Sequence, residues 1–66
     1  MNKNQQYLEE AILQYQNRDY DFPVVDDLSK VPEHYRGEVL EINDHGNVTL
    51  WYKFKNGNYR EIASRV

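Results

Sequence analysis

Asn56-Gly57, closing the stretch Asn43-Asp44-His45-Gly46-Asn47-Val48-Thr49-Leu50-Trp51-Tyr52-Lys53-Phe54-Lys55-Asn56-Gly57-Asn58, constrains this chain more than any other feature. A type I′ hairpin turn needs positive φ at both central positions, and asparagine and glycine tolerate it. From Glu38 onward the residues also alternate with period two, so the turn falls between strands. A two-residue turn opposes Phe54 with Tyr59, Tyr52 with Glu61, Trp51 with Ile62 and Leu50 with Ala63. The upstream Asp44-His45-Gly46 suits a three-residue loop with Gly46 left-handed, opposing Ile42 with Val48, Leu40 with Leu50 and Val39 with Trp51. Both registers put Leu40, Ile42, Val48, Leu50, Tyr52, Phe54, Tyr59 and Ala63 on one face. A three-residue second loop would send Asn58, Arg60 and Ile62 there instead, at the cost of a buried arginine.

Upstream the period changes. Leu8, Ala11, Ile12 and Tyr15 recur at the i, i+3, i+4, i+7 spacing of a helical stripe, predicting one amphipathic helix over about 4–17. Asn2 with Gln5, or Asn4, would cap its start, and Asn17 and Asp19 would stop it. Residues 18–37 carry Pro23, Pro32 and Asp26-Asp27 without a sustained period and read as an ordered connection, with one helical turn within Ser29 to Tyr35. Laying the helix stripe on the apolar sheet face gives a single α+β domain over residues 1–66, a helix followed by a three-stranded antiparallel meander over 38–65. The alternative is an SH3-like small barrel, with Asp21 to Val25 adding a strand.

Composition narrows the function. A chain of 66 residues buries only about 60% of its unfolded surface, which leaves little room for an enclosed active site. The absence of cysteine removes disulfides, thiolate nucleophiles and cysteine-based zinc sites. The net charge is −3 and uneven: residues 1–34 hold seven acids against three bases, residues 35–66 four acids against five bases. An acidic total argues against a dedicated duplex-DNA binder. No long apolar run points to a membrane, and the polar start lacks the apolar core of a signal peptide, so the expected compartment is the cytoplasm.

The sheet face opposite the helix carries the candidate binding site: Val39, Trp51 and Ile62 in one row, with Lys53, Arg60 and Lys55 as a basic margin. Tryptophan and arginine are enriched among interface hot spots, and an aromatic among lysines can also stack a nucleic-acid base. The competing reading is that Phe22, Pro23, Val24 and Val25 fold over this row as a second small core. Asp19, Asp21, Asp26 and Asp27 form a secondary acidic surface whose spacing matches no calcium loop. His45, beside Asp44, and His34 lack metal spacing and read as structural. Glu38 and Glu61, predicted about 10 Å apart on either side of Tyr52, overlap the separation of an inverting glycosidase pair, but no cleft is expected to hold a sugar.

The run HYRGEVLEINDHGNVTLWYKFKNGNYREIA, residues 34–63, resembles the sheet half of small phage-encoded anti-CRISPR proteins: a Gly-Val strand, an aromatic-rich middle strand, and a turn before a final aromatic with a basic neighbour. The acidic first half is unlike them. The resemblance implies a non-enzymatic inhibitor that binds a large protein or ribonucleoprotein complex, with Trp51, Lys53, Lys55 and Arg60 as contact positions. The expectation is therefore a binding protein without catalytic, metal or cofactor residues, acting on a larger protein. A single-stranded nucleic-acid module using Trp51, Lys53 and Arg60 is the alternative, and Gly37 to Asn43 is a candidate edge for homodimer pairing.

Overall fold

A computed structural model describes residues 3–65. Helix α1 spans Lys3–Gln16, and four strands follow: β1, Val24–Val25; β2, Gly37–Ile42; β3, Val48–Lys53; β4, Tyr59–Arg65. A 3₁₀ turn, Leu28–Lys30, lies between β1 and β2. The strands form one sheet in the order β1-β2-β3-β4, parallel between β1 and β2 and antiparallel elsewhere. The expected α+β architecture of helix and meander is present, and β1 adds a short fourth strand. No helix among the described residues is long and apolar enough to cross a membrane.

Helix α1 ends in a Schellman motif. The Asp19 N–H donates to the Gln14 carbonyl at 2.9 Å and the Arg18 N–H to that of Tyr15 at 3.1 Å. Arg18 takes the left-handed position at φ 57, a place usually given to glycine. The stop therefore falls between the expected Asn17 and Asp19. At the other end Asn4 lies inside the helix rather than capping it, and Asn2 lies outside the described residues.

The β2–β3 register is the expected one, with Ile42 opposite Val48, Leu40 opposite Leu50 and Val39 opposite Trp51. Its loop is held by Asn43, whose Oδ1 accepts from the N–H groups of His45 at 2.9 Å and Asn47 at 3.0 Å. The second hairpin differs. The Phe54 N–H donates to the Asn58 carbonyl and the Gly57 N–H to that of Phe54, so Lys55, Asn56 and Gly57 make a three-residue loop with only Gly57 left-handed. This pairs Tyr52 with Arg60 and Trp51 with Glu61, not Glu61 and Ile62 as expected; a bulge between Leu50 and Trp51 then restores Leu50 opposite Ala63. The bulge removes the objection to the longer loop. Arg60 joins the helix-side face only at its open end, where it is exposed, while Ala63 still enters the core.

That core is Leu8, Ala11, Ile12, Phe22, Leu40, Val48, Leu50 and Ala63, with Val24, Ile42 and Ile62 against it. Three expected members are elsewhere. Tyr52 and Phe54 lie past the region the helix covers and are 39% and 42% exposed, and Tyr59 pairs with Lys53 on the opposite face. Tyr15 is also exposed, its ring 5.3 Å from that of Tyr20.

The opposite face is covered, though by different residues from those expected. Phe22 and Val24 join the helix-side core, whereas the chain from Leu28 to Glu33 reaches the end of the other face through three hydrogen bonds. Lys53 Nζ donates to the carbonyls of Pro32 at 2.9 Å and Glu33 at 3.1 Å, and the Tyr59 hydroxyl donates to that of Leu28 at 3.4 Å. Val39 is fully buried, and Val31 nearly so. β2, expected as an edge, pairs with β1 at Leu40 and Glu41, so the sheet's edges are β1 and β4. The β4 edge carries a bulge and the charged Arg60, Glu61 and Arg65, features that discourage strand addition.

Candidate functional site

The bulge at Ile62 divides the expected binding row between two faces. Val39, Trp51 and Lys53 stay on the face away from the helix, while Arg60 and Ile62 turn toward the helix side. Val39 has no exposed surface and Lys53 is 6% exposed, its ammonium engaged by two carbonyls and lying 5.9 Å from the Tyr59 ring centroid. Trp51 is half-buried; its Nε1–H donates to Glu41 Oε1 at 2.9 Å and its ring meets Tyr59 edge-on at 6.2 Å. Burial raises the Tyr59 phenol pKa above its usual value. Lys55 is exposed in the hairpin loop. Lys53 and Tyr59 anchor the connection to the sheet, and Trp51 is held within the sheet by Glu41 and Tyr59.

The acidic residues also separate. Asp26 forms an ion pair with Lys30 at 2.8 Å, and the Lys30 hydrogen bond and charge hold its carboxyl below the usual range. The same contact raises the Lys30 pKa. Asp27 caps the 3₁₀ turn by accepting from the Ser29 N–H at 2.9 Å, which lowers its pKa. Asp19 and Asp21 are exposed near Tyr20. Among the described residues no cluster of three or more histidines, aspartates and glutamates could hold a metal ion. His45 lies 3.7 Å from Asp44 in an exposed turn.

A different surface gathers open aromatic area. Past the first turns of α1, the helix-side sheet face leaves an open groove of about 550 Å³, lined by Asn4 and Tyr7 from the helix and by Glu38, Tyr52, Arg60 and Ile62 from the strands. Register explains it: Glu38, Tyr52 and Arg60 are direct partners across β2, β3 and β4 and share one face. Tyr7 is 48% exposed, and the Tyr52 ring lies 5.0 Å from that of Phe54, which is also exposed. Among the described residues, Glu38, Arg60 and Glu61 form no ion pair within 4.0 Å. Beside the groove, Gly37 lets the Tyr35 ring approach the backbone, and the Tyr35 hydroxyl donates to the Glu38 carbonyl at 2.7 Å. Burial, then the charges of Asp21 and Glu38, push the Tyr35 phenol upward.

Sequence reasoning found Arg60 and Ile62 but assigned them to the wrong face, and it missed Tyr7 and treated Tyr52 as core. The signal for Tyr7 was its place beside the helix stripe, one residue before Leu8. The Glu38–Glu61 pair flanking Tyr52 is corrected to Glu38 and Arg60, an acid and a base. Compared with known proteins, the chain matches no family model, no curated protein and no solved structure.

Proposed function

We propose that this chain is a small non-enzymatic binding protein that occupies a surface of a larger protein or ribonucleoprotein complex, using the groove face around Tyr7, Tyr52 and Ile62 with Arg60 and Glu38 as orienting charges. The observation that carries this reading is the collection, in one groove, of two exposed tyrosine rings, the half-buried Ile62 and charges that form no ion pair among the described residues. Amphipathic tyrosines and a central arginine are the residue types that supply most interface energy. The groove is open along its length, so it does not exclude water as a site that stabilises developing charge must. The likeness of residues 34–63 to anti-CRISPR proteins supports a cytoplasmic inhibitor of phage or mobile-element type.

The test is capture of partners from a host extract by the tagged chain, compared with Tyr52→Ala and Lys55→Ala, each shown to be folded by circular dichroism. A protein retained by the parent chain and Lys55→Ala but lost by Tyr52→Ala is the expected result. Retention by Tyr52→Ala overturns the site.

A further inference from the structure

The charges of the groove have a matching set on the chain's own helix. Across the sheet, Glu38 and Arg60 flank Tyr52, separated by two strand spacings or about 9.6 Å. Along the helix, Lys3 and Glu10 flank Tyr7 and are seven residues apart, a rise of about 10.5 Å. All six side chains are exposed, and Lys3, Glu10, Glu38 and Arg60 form no ion pair among the described residues. Residues at i, i+4 and i+7 lie on one side of a helix, here about 120–180° around the axis from the midline of the buried Leu8 and Ile12. The helix therefore presents base, ring and acid in a line, and the groove presents acid, ring and base at the same spacing.

We propose that two copies of this chain associate symmetrically, each laying the Lys3–Tyr7–Glu10 face of α1 into the other's groove, with Lys3 against Glu38, Tyr7 on Tyr52 and Glu10 against Arg60. This rests on the reading of the groove as a protein-contact face and names its occupant in the free protein. The contact is isologous, so every pairing occurs twice and any substitution acts twice. The alternation of sign selects direction: reversing the docked helix would place Lys3 on Arg60 and Glu10 on Glu38, one like-charge contact at each end of the docked helix. Exposed ion pairs add little each, so the two copies are in reversible exchange with monomer, and an unlike partner with the same pattern would compete for the groove.

The test is sedimentation of the full chain from micromolar to millimolar concentration at low salt, for the parent, Lys3→Glu, Glu38→Lys and the double variant. Parent dimerisation, weakened about tenfold by either single change and largely recovered by the double, is the expected result. A parent that stays monomeric at millimolar concentration overturns the proposal. So does a dimer in which the double variant is no tighter than the singles, because the copies then meet elsewhere. Neither result bears on capture of an unlike partner: loss of capture in Tyr52→Ala with a monomeric parent leaves the groove as a contact face and removes only the second copy as its occupant.

Discussion

Trp51 Nε1 donates a hydrogen bond to Glu41 Oε1 at 2.9 Å across the β2–β3 pair, so the only tryptophan of the chain is held by a carboxylate on its own sheet. The bond is charge-assisted but partly open to solvent. Glu41→Ala is expected to lower stability by about 1 kcal/mol, and the emission of Trp51 should shift to the red as the indole gains water. Urea unfolding followed by that fluorescence measures both. An unchanged emission maximum would show that Glu41 does not hold the ring.

Among the described residues Lys53 is the one charged residue that is buried. It carries no carboxylate partner; its ammonium is satisfied by the Pro32 and Glu33 carbonyls, which belong to the chain that covers the face. Lys53→Met keeps the stem but leaves those carbonyls without their donor, and is expected to cost about 1–3 kcal/mol. It should also speed amide exchange at Val31, whose N–H donates to the Leu28 carbonyl. Slow exchange at Val31 in this variant would show that the connection is held without Lys53, by packing and the Tyr59–Leu28 hydrogen bond.

Why some of this was legible in the sequence is clear from single residues. Period-two alternation and the Asn43–Asn47 loop fix the β2–β3 register, because a slip by one would turn Leu40 and Leu50 to solvent together. The β3–β4 register was only half legible. Asn56-Gly57 fits a two-residue turn on local grounds, but a bulge at Ile62 lets a three-residue loop satisfy the same core, and nothing local marks a bulge in Arg60-Glu61-Ile62-Ala63. Alternation likewise places Lys53 on the outer face but cannot say that carbonyls twenty and twenty-one residues earlier in sequence will receive it. Phe22 and Val24 belong to a segment without period, so their side of the sheet was decided by the parallel pairing of β1, a long-range event.

Among the described residues, positive φ is taken by one side-chain-bearing residue, Arg18, and by the three glycines. Arg18, at φ 57, bears the strain of a left-handed conformation at the helix stop, so Arg18→Gly should stabilise the protein by up to about 1 kcal/mol. Gly57→Ala meets no atom within 4 Å and should cost about 1 kcal/mol from backbone strain alone. Gly37→Ala should cost more, because its Cβ would stand 3.0 Å from the Tyr35 hydroxyl oxygen and disturb that group's bond to Glu38. Thermal midpoints of the three variants should order Arg18→Gly above the parent, then Gly57→Ala, then Gly37→Ala. A Gly37→Ala variant as stable as Gly57→Ala would mean that the Tyr35 ring moves aside without loss.

Stability should fall at both ends of the pH range, for groups whose shifts have opposite sign. Asp26 and Asp27 have lowered pKa values in the folded chain, so the unfolded chain takes up protons first on acidification. Their contribution is present above the ordinary value of 3.8 and is lost as pH falls through the lower folded values. Tyr35 and Tyr59 are raised, so the unfolded chain loses its phenol protons first, and their contribution is full below 10.0 and lost as pH rises through the higher folded values. Tyr35→Phe removes the larger set of causes, burial together with Asp21, Glu38 and Tyr52, and should flatten the alkaline limb while leaving the acid limb in place. Asp27→Asn should do the reverse, because Ser29 N–H can still be accepted by the amide oxygen while the titration is gone. Urea midpoints measured from pH 2 to pH 12 check the assignment: an alkaline limb unchanged in Tyr35→Phe would place the controlling group at Tyr59, whose hydroxyl faces Leu28 on the opposite side of the sheet, or at Lys30, whose pKa Asp26 also raises.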